Sequence, residues 1–184
     1  MTIVQDTREQ AGKKEHILKF FDENGVKVVR SKLFCGDWTR LDKQDVCIDT
    51  KTLGLQEVYN NLIGKQHQRF VRECVRAKEN GIRLIVLVEE SGIGSLEDVH
   101  KWKNPRRETW FMINALHKKG KALGRKIPQM PPAGSDVLQK AMTTVATKYS
   151  VEWQFCEKKD TGARILNILE GDNDKAESVC EQSV

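Results

Sequence analysis

The sequence predicts an α/β protein with a mixed central sheet flanked by helices. Stretches with strand character alternate with stretches that have helical spacing of apolar residues, and a tight turn joins two of the strands. The 184 residues are 39% apolar and 31% charged, which is typical of a globular protein. A chain of this length is expected to form one domain around a single core.

Strands are predicted where apolar residues alternate or form a short continuous run. In chain order they are residues 3–9, 26–30, 38–41, 46–50, 83–89 and 151–156. The continuous run at 83–89 suits a buried strand in mid-sheet. The right-handed crossover rule makes the strands at 83–89 and 151–156 neighbours of the pair at 38–50.

Helices are predicted where apolar residues recur at steps of three and four. In chain order they include residues 17–21, 55–63, 65–79, 109–119, 136–149 and, from Asp160 or Thr161, the segment to Leu169. Gly25, Gly64 and Gly81 are typical ends for the first three of these helices. Asp136 is expected to cap the helix at 136–149.

The composition indicates what kind of partner the protein binds and in which cellular compartment it is expected. The net charge of +5 suits a phosphate-rich partner. Five scattered cysteines without a CxxC pair argue against a disulfide framework and a zinc ribbon, so reduced thiols are expected. No run approaches the roughly 20 apolar residues of a membrane span, and no basic and then apolar leader is present. We therefore expect a cytoplasmic protein with no membrane partner.

The most informative stretch is residues 36–51, which predicts a β-hairpin. Antiparallel pairing would bring Asp37, at the start of one strand, near Asp49, at the end of the other, and Lys51 would share a face with Asp49. Paired carboxylates hold hard cations such as Mg²⁺, and a nearby lysine can position or deprotonate the attacking water. The alternative is that these are ordinary charged hairpin ends that favour solubility.

Three short motifs carry a resemblance to a known family. The order Asp6-Thr7-Arg8-Glu9, Gly36-Asp37 and Asp49-Thr50-Lys51 resembles the nuclease domain of the XPF-type family, within the PD-(D/E)XK nuclease superfamily. That family's core motif is Gly-Asp, a short spacer and Glu-Arg-Lys. The chain looks like a stand-alone form of this domain, as in phage or prophage recombination functions.

The chain departs from the family motif at three places. Asp49 replaces glutamate and keeps a carboxylate ligand. Thr50 replaces arginine and removes a cation, whose role would have to fall to another basic residue or be absent. Leu55 occupies the place of the acid that usually follows, and Glu57 is the nearest carboxylate.

The resemblance implies a restriction-endonuclease-like fold and a DNA endonuclease dependent on Mg²⁺ or Mn²⁺. It implies Asp37 and Asp49 as metal ligands and Lys51 as the residue that orients or activates water. Asp6 would add a carboxylate through water, and Glu9 is a weaker candidate. The nuclease domain would span residues 1–170, with a basic insertion at about 91–135 and an acidic, disordered tail at 171–184.

The substrate expected from the resemblance is branched, flap or four-way junction DNA. Related domains pair, so a homodimer is expected. The apolar surface for pairing is expected around Ile165 and Leu169 or on the helix at 136–149, either of which is alternatively part of the core.

Two groups of basic residues are candidates for contact with DNA. The helix at 65–79 carries a stripe of cations, with Gln66 and Gln68 as further donors; a solvated basic face is the alternative. In the insertion, Trp102 among cations would suit a flexible strand, or it packs beneath a loop. The candidate residues are Arg8, Lys65, Gln66, Arg69, Arg72, Arg76, Lys101, Trp102, Arg106 and Arg107.

Two other functions remain open at this point. The threonine at position 50 is consistent with an inactive nuclease fold that binds DNA or a protein partner. A soluble interaction protein without affinity for DNA is the third hypothesis. Metal-dependent cleavage distinguishes the first hypothesis from both.

Overall fold

Six short stretches pair into one mixed sheet in the computed structural model, which describes residues 1–8, 12–118 and 128–171. The strands are β1 (Thr2–Asp6), β2 (Lys27–Ser31), β3 (Trp38–Arg40), β4 (Val46–Lys51), β5 (Arg83–Glu89) and β6 (Glu152–Cys156). Their order is β2-β1-β3-β4-β5-β6. Strand β3 is antiparallel to both neighbours, whereas the other adjacent pairs are parallel. The predicted mixed sheet is confirmed.

Strand β5 occupies the interior position that its apolar run predicts. Residues 84–88 are almost completely buried. The strand pairs with β4 on one side and with β6 on the other. Strand β5 is therefore a direct neighbour of the hairpin, and β6 lies one strand further out.

Helices cover both faces of this sheet. They are α1 (Glu15–Glu23), α2 (Leu55–Leu62), α3 (His67–Glu79), α4 (Pro105–Lys118), α5 (Ser135–Tyr149) and α6 (Thr161–Glu170). Helices α1 and α6 bury apolar side chains on one face, and α2, α3 and α5 do so on the other. The alternation of side chains along each strand supplies an apolar surface to both layers.

The contact between Phe21 of α1 and Trp38 of β3 holds the first helix over the hairpin. Their rings meet edge to face, with centroids 5.5 Å apart, and both side chains are fully buried. Burial of each such side chain contributes about 2 kcal/mol or more. The indole nitrogen of Trp38 donates to Thr50 Oγ1 at 3.3 Å, so its polar atom is satisfied inside the core. Packing here determines where the start of α1 lies relative to β4.

Helix α4 begins four residues earlier than its apolar spacing predicts. Pro105 is its first residue, a position where the missing amide hydrogen costs nothing. The side chain of Asn104 accepts a hydrogen bond from the backbone of Arg106 at 3.0 Å and caps the first turn. The cap and the proline determine this start, not the apolar pattern from Thr109 onward.

Two other helix starts also differ from expectation. Helix α5 has Gly134 at its N-cap, so Asp136 lies inside the first turn and the prediction that it caps the helix is wrong. A carboxylate there still favours the helix dipole. Helix α3 begins at His67, so Lys65 and Gln66 precede it. The preceding turn is closed by a hydrogen bond from Gln66 N to Asn60 O at 3.2 Å.

The final helix contributes to the core and not to a free surface. Ile165 and Leu169 are buried beside the side chains of α1. Of the two alternatives for these residues, a pairing surface or part of the core, the structure supports the core, because helical periodicity marks an apolar face without saying what covers it.

The described part of the insertion contains α4 and a short 3₁₀ helix at Glu97–Lys101. Residues 119–127 of the predicted insertion and residues 172–184 of the predicted tail lie outside the described residues. Within the described ranges, no helix combines the length and apolar character needed to cross a membrane. Four cysteines there are free thiols, at positions Cys35, Cys47, Cys74 and Cys156.

Candidate active site

The hairpin brings Asp37, Asp49 and Lys51 together in one cavity of about 200 Å³. Asp37 directly precedes β3 and is held by a backbone hydrogen bond from its nitrogen to Ile48 O at 2.7 Å. Asp49 and Lys51 are alternate residues of β4 and share a face. All three residues are buried, with exposed fractions of 7% for Asp37, 5% for Asp49 and 6% for Lys51.

Gly36 is required by the tight approach of this turn to β4. Its φ angle is +66°, in the left-handed region that favours glycine. A Cβ atom there would lie 3.0 Å from Ile48 O and 3.1 Å from Cys47 Cβ. The Gly36 nitrogen also donates to Glu73 Oε1 at 2.8 Å. The glycine thus lets Asp37 sit directly beside β4.

Asp37 is held in its ionised form. Its Oδ2 accepts hydrogen bonds from Thr50 N at 2.6 Å and Thr50 Oγ1 at 2.8 Å. Lys14 Nζ lies 2.6 Å from the same oxygen. Burial alone would raise the pKa of Asp37, but the charges of Lys14 and Lys51 and these hydrogen bonds outweigh it and lower the pKa to about 2.

The environment of Asp49, in contrast, favours the protonated form of its carboxyl group. Burial raises the pKa of Asp49 to about 8, with the carboxylates of Asp37 and Glu73 adding to the effect and Lys51 opposing it. Its Oδ1 accepts a hydrogen bond from Lys51 Nζ at 2.9 Å. Its Oδ2 lies 2.7 Å from the same nitrogen but is a buried oxygen that accepts no hydrogen bond. A metal cation that binds this oxygen must therefore share it with the ammonium of Lys51.

Lys51 keeps its proton in this environment. Burial would lower its pKa, but Asp49 and Asp37 outweigh burial and raise it above the usual range. The ammonium also lies 5.4 Å from the centroid of the Phe70 ring. Lys51 is therefore a charged donor in the metal-free site and not a proton acceptor.

The donor atoms fit a magnesium-like cation. Among the described residues, no cluster of three His, Cys, Asp or Glu side chains suited to a metal is found. Mg²⁺ needs only one or two protein carboxylates, because it retains several waters. Asp37 and Asp49 supply two, and Glu57 and Glu73 also line the cavity. All are oxygen donors, which suits a hard cation.

Asp6 lines the same cavity, but its carboxylate is already engaged. Arg8 Nε lies 3.0 Å from Oδ1 and 2.9 Å from Oδ2 of Asp6, and Leu33 N donates to Oδ2 at 3.4 Å. Burial raises the pKa of Asp6, but these hydrogen bonds and the charge of Arg8 lower it overall. The backbone N–H of Asp6 also donates a hydrogen bond to Asp37 O, at 2.9 Å. Glu9 lies outside the described residues.

The basic stripe of α3 divides into two groups. Arg69 and Arg76 line the cavity, and Gln66 joins them from the turn before the helix. Arg72 is exposed, and its Nε donates to Gln68 O at 3.2 Å on the same helix. Neither Arg72 nor Lys65 lines the cavity. The helix therefore directs only part of the predicted stripe toward the carboxylates.

The candidate DNA contacts of the insertion are not among the residues that line this cavity. Trp102 is half-buried, with its ring centroid 6.2 Å from that of Tyr59, as the packing alternative predicted. Lys101 pairs with Asp98 at 2.5 Å. Arg107 donates to Pro132 O at 2.7 Å, whereas Arg106 is exposed.

Lys14 and Glu73 are members of the site that the sequence reasoning missed. Lys14 precedes α1 and has no local motif, so nothing in the sequence connects it to Asp37. Glu73 is four residues after Arg69 and three before Arg76, so it lies on the same face of α3. That spacing was a usable signal.

The sheet, the flanking helices and the hairpin define the restriction-endonuclease-like fold. The sequence pattern of the ERCC4 domain matches residues 5–169, and the chain belongs to the ERCC4 domain family. The resemblance to XPF-type domains seen in the sequence is thereby confirmed. No curated protein sequence matches the chain significantly.

Solved structures show the same fold. XPF from Aeropyrum pernix has a TM-score of 0.57 and 18% identity, with 96% of this chain and 69% of that chain covered. XPF from the same organism in complex with DNA has a TM-score of 0.57 and 16% identity, with 94% of this chain and 65% of that chain covered. The chain thus spans about two thirds of the length of these XPF chains.

Proposed function

We propose that the protein is a DNA endonuclease dependent on Mg²⁺, with Mn²⁺ able to substitute. The observation that carries this proposal is the convergence of Asp37, Asp49 and Lys51, all buried, in one cavity beside β4. Burial of two carboxylates next to each other is costly, and Lys14 and Lys51 compensate it only in part, because the pKa of Asp49 is still raised to about 8. A divalent cation at a nuclease site would compensate the remainder.

DNA is the substrate that the surroundings of the cavity favour. Arg69, Arg76 and Gln66 line it on the α3 side, and Arg8 lines it on the β1 side. Cations and amides in this arrangement suit phosphate oxygens, which they contact without reading the bases. The complex of Aeropyrum pernix XPF with DNA supports the same substrate class by family.

The charges of Asp37, Asp49 and Lys51 suggest a separate role for each residue in hydrolysis. A divalent cation held by Asp37 and Asp49 would act as a Lewis acid on the phosphate and acidify the attacking water. Lys51, which keeps its proton, would orient the water or a phosphate oxygen through a charge-assisted hydrogen bond. Asp37, fixed by Thr50, stays ionised, whereas Asp49 must lose a proton before it can act as a ligand.

We also propose that the substrate is branched DNA and that the active form is a homodimer. A symmetric pair would present two cavities to a junction that itself approximates two-fold symmetry. One cavity on a single domain has little surface with which to distinguish a junction from a plain duplex.

A cleavage assay tests the proposal. Linear, flap, fork and four-way DNAs are incubated with Mg²⁺ or Mn²⁺, with EDTA and the Asp37→Asn variant as controls. We expect metal-dependent cuts in branched DNA that are lost in both controls. DNA binding without cleavage would instead support the inactive nuclease fold, for which the threonine at position 50 is the specific reason.

A further inference from the structure

Lys14 is a buried cation of the active site that belongs to neither the hairpin nor α3. Its side chain is 4% exposed, and its Nζ lies 2.6 Å from Asp37 Oδ2. The same nitrogen lies 5.7 Å from the centroid of the Trp38 ring. Burying an ammonium costs free energy unless a partner compensates it. Asp37 and the indole face provide that compensation, so the position of Lys14 is specified by the fold.

Thr50 already provides the hydrogen bonds that orient Asp37. Its backbone nitrogen and its hydroxyl both donate to Asp37 Oδ2. Both groups are neutral, so they fix the carboxylate without adding charge. What Lys14 adds to this arrangement is therefore a positive charge rather than orientation alone.

The formal charges of the residues that line the cavity show how the positive charge of Lys14 changes the net charge of the site. Among the described residues, six cations line the cavity, namely Arg8, Lys13, Lys14, Lys51, Arg69 and Arg76, and five acids line it, namely Asp6, Asp37, Asp49, Glu57 and Glu73. With one divalent cation bound and all the acids ionised, eight positive charges face five negative ones. Removal of Lys14 would lower this excess from three positive charges to two, at the position directly beside Asp37.

We propose that Lys14 supplies one of the positive charges by which the metal-loaded site attracts the scissile phosphate, and that it does so from directly beside Asp37. This inference rests on the proposed metal-dependent cleavage. It assigns to Lys14 a part in phosphate binding that Thr50, with no charge, does not perform. The cation is delivered from the start of α1, which Phe21 holds against Trp38 over the hairpin.

If Lys14 has this role, its removal should change the affinities for Mn²⁺ and for DNA in opposite directions. Lys14 repels a divalent cation bound to Asp37, so its removal should tighten Mn²⁺ binding, by about tenfold. The same removal should weaken DNA binding by about tenfold, because the loaded site loses one of the positive charges that attract the phosphate. A residue that only supports the fold would weaken both ligands together.

The test compares Lys14→Met with Lys19→Met, a matched loss of charge on α1. Lys19 is 76% exposed in its side chain, pairs only weakly with Glu23 at 3.7 Å and does not line the cavity. Mn²⁺ affinity is measured by isothermal titration calorimetry. Affinity for a fluorescein-labelled four-way junction is measured by anisotropy, with Ca²⁺ in place of the catalytic metal.

The expected result is tighter Mn²⁺ and weaker junction binding for Lys14→Met, with both affinities near the parent for Lys19→Met. Lys14→Gln, which keeps a polar end, serves as a second neutral variant if Lys14→Met unfolds, and thermal unfolding monitors both. Weakening of both ligands, or no change in either, would overturn the assignment. If the parent itself fails to bind Mn²⁺, the proposed metal site is wrong; if the parent binds and Lys14 variants match Lys19→Met, only the inference on Lys14 is wrong.

Discussion

The ammonium of Lys51 lies 2.9 Å from Oδ1 and 2.7 Å from Oδ2 of Asp49. Because the two residues alternate on β4, the backbone itself delivers both to the same point. The metal-free protein therefore holds its own lysine against one proposed metal ligand. A cation that binds Asp49 must share the carboxylate with this ammonium, so metal binding and the position of Lys51 are linked.

Asp37→Asn and Asp49→Asn are each expected to abolish cleavage without loss of the fold, although Asp37→Asn should lower the free energy of unfolding because it leaves the buried ammonium of Lys14 without its carboxylate partner. Each change removes a charge that holds the cation, and asparagine fills the same volume. Mn²⁺ titration calorimetry and circular dichroism measure the two properties separately. If the double variant bound Mn²⁺ like the parent, or still cut DNA, the hairpin would not be the metal site.

The stability of the metal-free protein is expected to fall as pH rises from about 4 to about 8. The pKa of Asp49 is about 8 in the fold against an ordinary value of 3.8, so in this window the folded state keeps a proton that the unfolded chain has lost. This group then lowers the free energy of unfolding by up to about 1.4 kcal/mol per pH unit. Thermal unfolding in EDTA from pH 5 to 9 checks it.

Asp49→Asn is the control for that measurement. Asparagine does not ionise, so the slope of stability against pH should become flatter in this variant. Mg²⁺ should have the opposite effect in the parent, because it favours the ionised carboxylate and so stabilises most at high pH. An identical pH slope in parent and variant would show that Asp49 titrates normally.

Lys51→Ala is expected to lose catalysis while metal binding is retained or becomes tighter. The ammonium is a donor to water or to developing charge and is not a ligand. Lys51→Arg should rescue only in part, because a guanidinium spreads its charge over a broader plane and does not fit the buried position beside Phe70. Single-turnover cleavage and Mn²⁺ titration separate the two effects. Parental activity in both variants would remove the lysine from the mechanism.

Arg69→Ala and Arg76→Ala are expected to weaken DNA binding about equally for all sequences. Both arginines line the cavity, and phosphate contacts do not read bases. Each lost contact should reduce the slope of log affinity against log salt by about one unit. Arg72→Ala makes the same charge change on the face of α3 that does not line the cavity, and should have the smaller effect. Equal slopes in all variants and the parent would identify the stripe as a solvated face.

Light scattering on the purified protein, with and without a four-way junction, is expected to show a homodimer. A dimer would also cut the junction in preference to linear duplex, because it places two cavities on one branched molecule. A strict monomer that cuts both DNAs at equal rates would contradict this and indicate a simple degradative nuclease.

The sequence alone determined the local parts of this site. Period-two alternation along β4 put Asp49 and Lys51 on one face, and a Gly-Asp pair before β3 put Asp37 at the start of the facing strand. Helical periodicity likewise predicted α3 and its cations. These features depend on backbone geometry over a few residues, which the sequence pattern reports directly.

Only the tertiary structure decided what surrounds those residues. Lys14 reaches Asp37 from twenty-three positions away because α1 packs over the hairpin, and Asp6, although it lines the cavity, is engaged by Arg8. The opposite pKa shifts of Asp37 and Asp49 have the same origin. Burial disfavours both charges, but Lys14 and Thr50 compensate only Asp37. Such effects depend on which distant segments pack together, and the spacing of residues along the sequence does not predict these tertiary contacts.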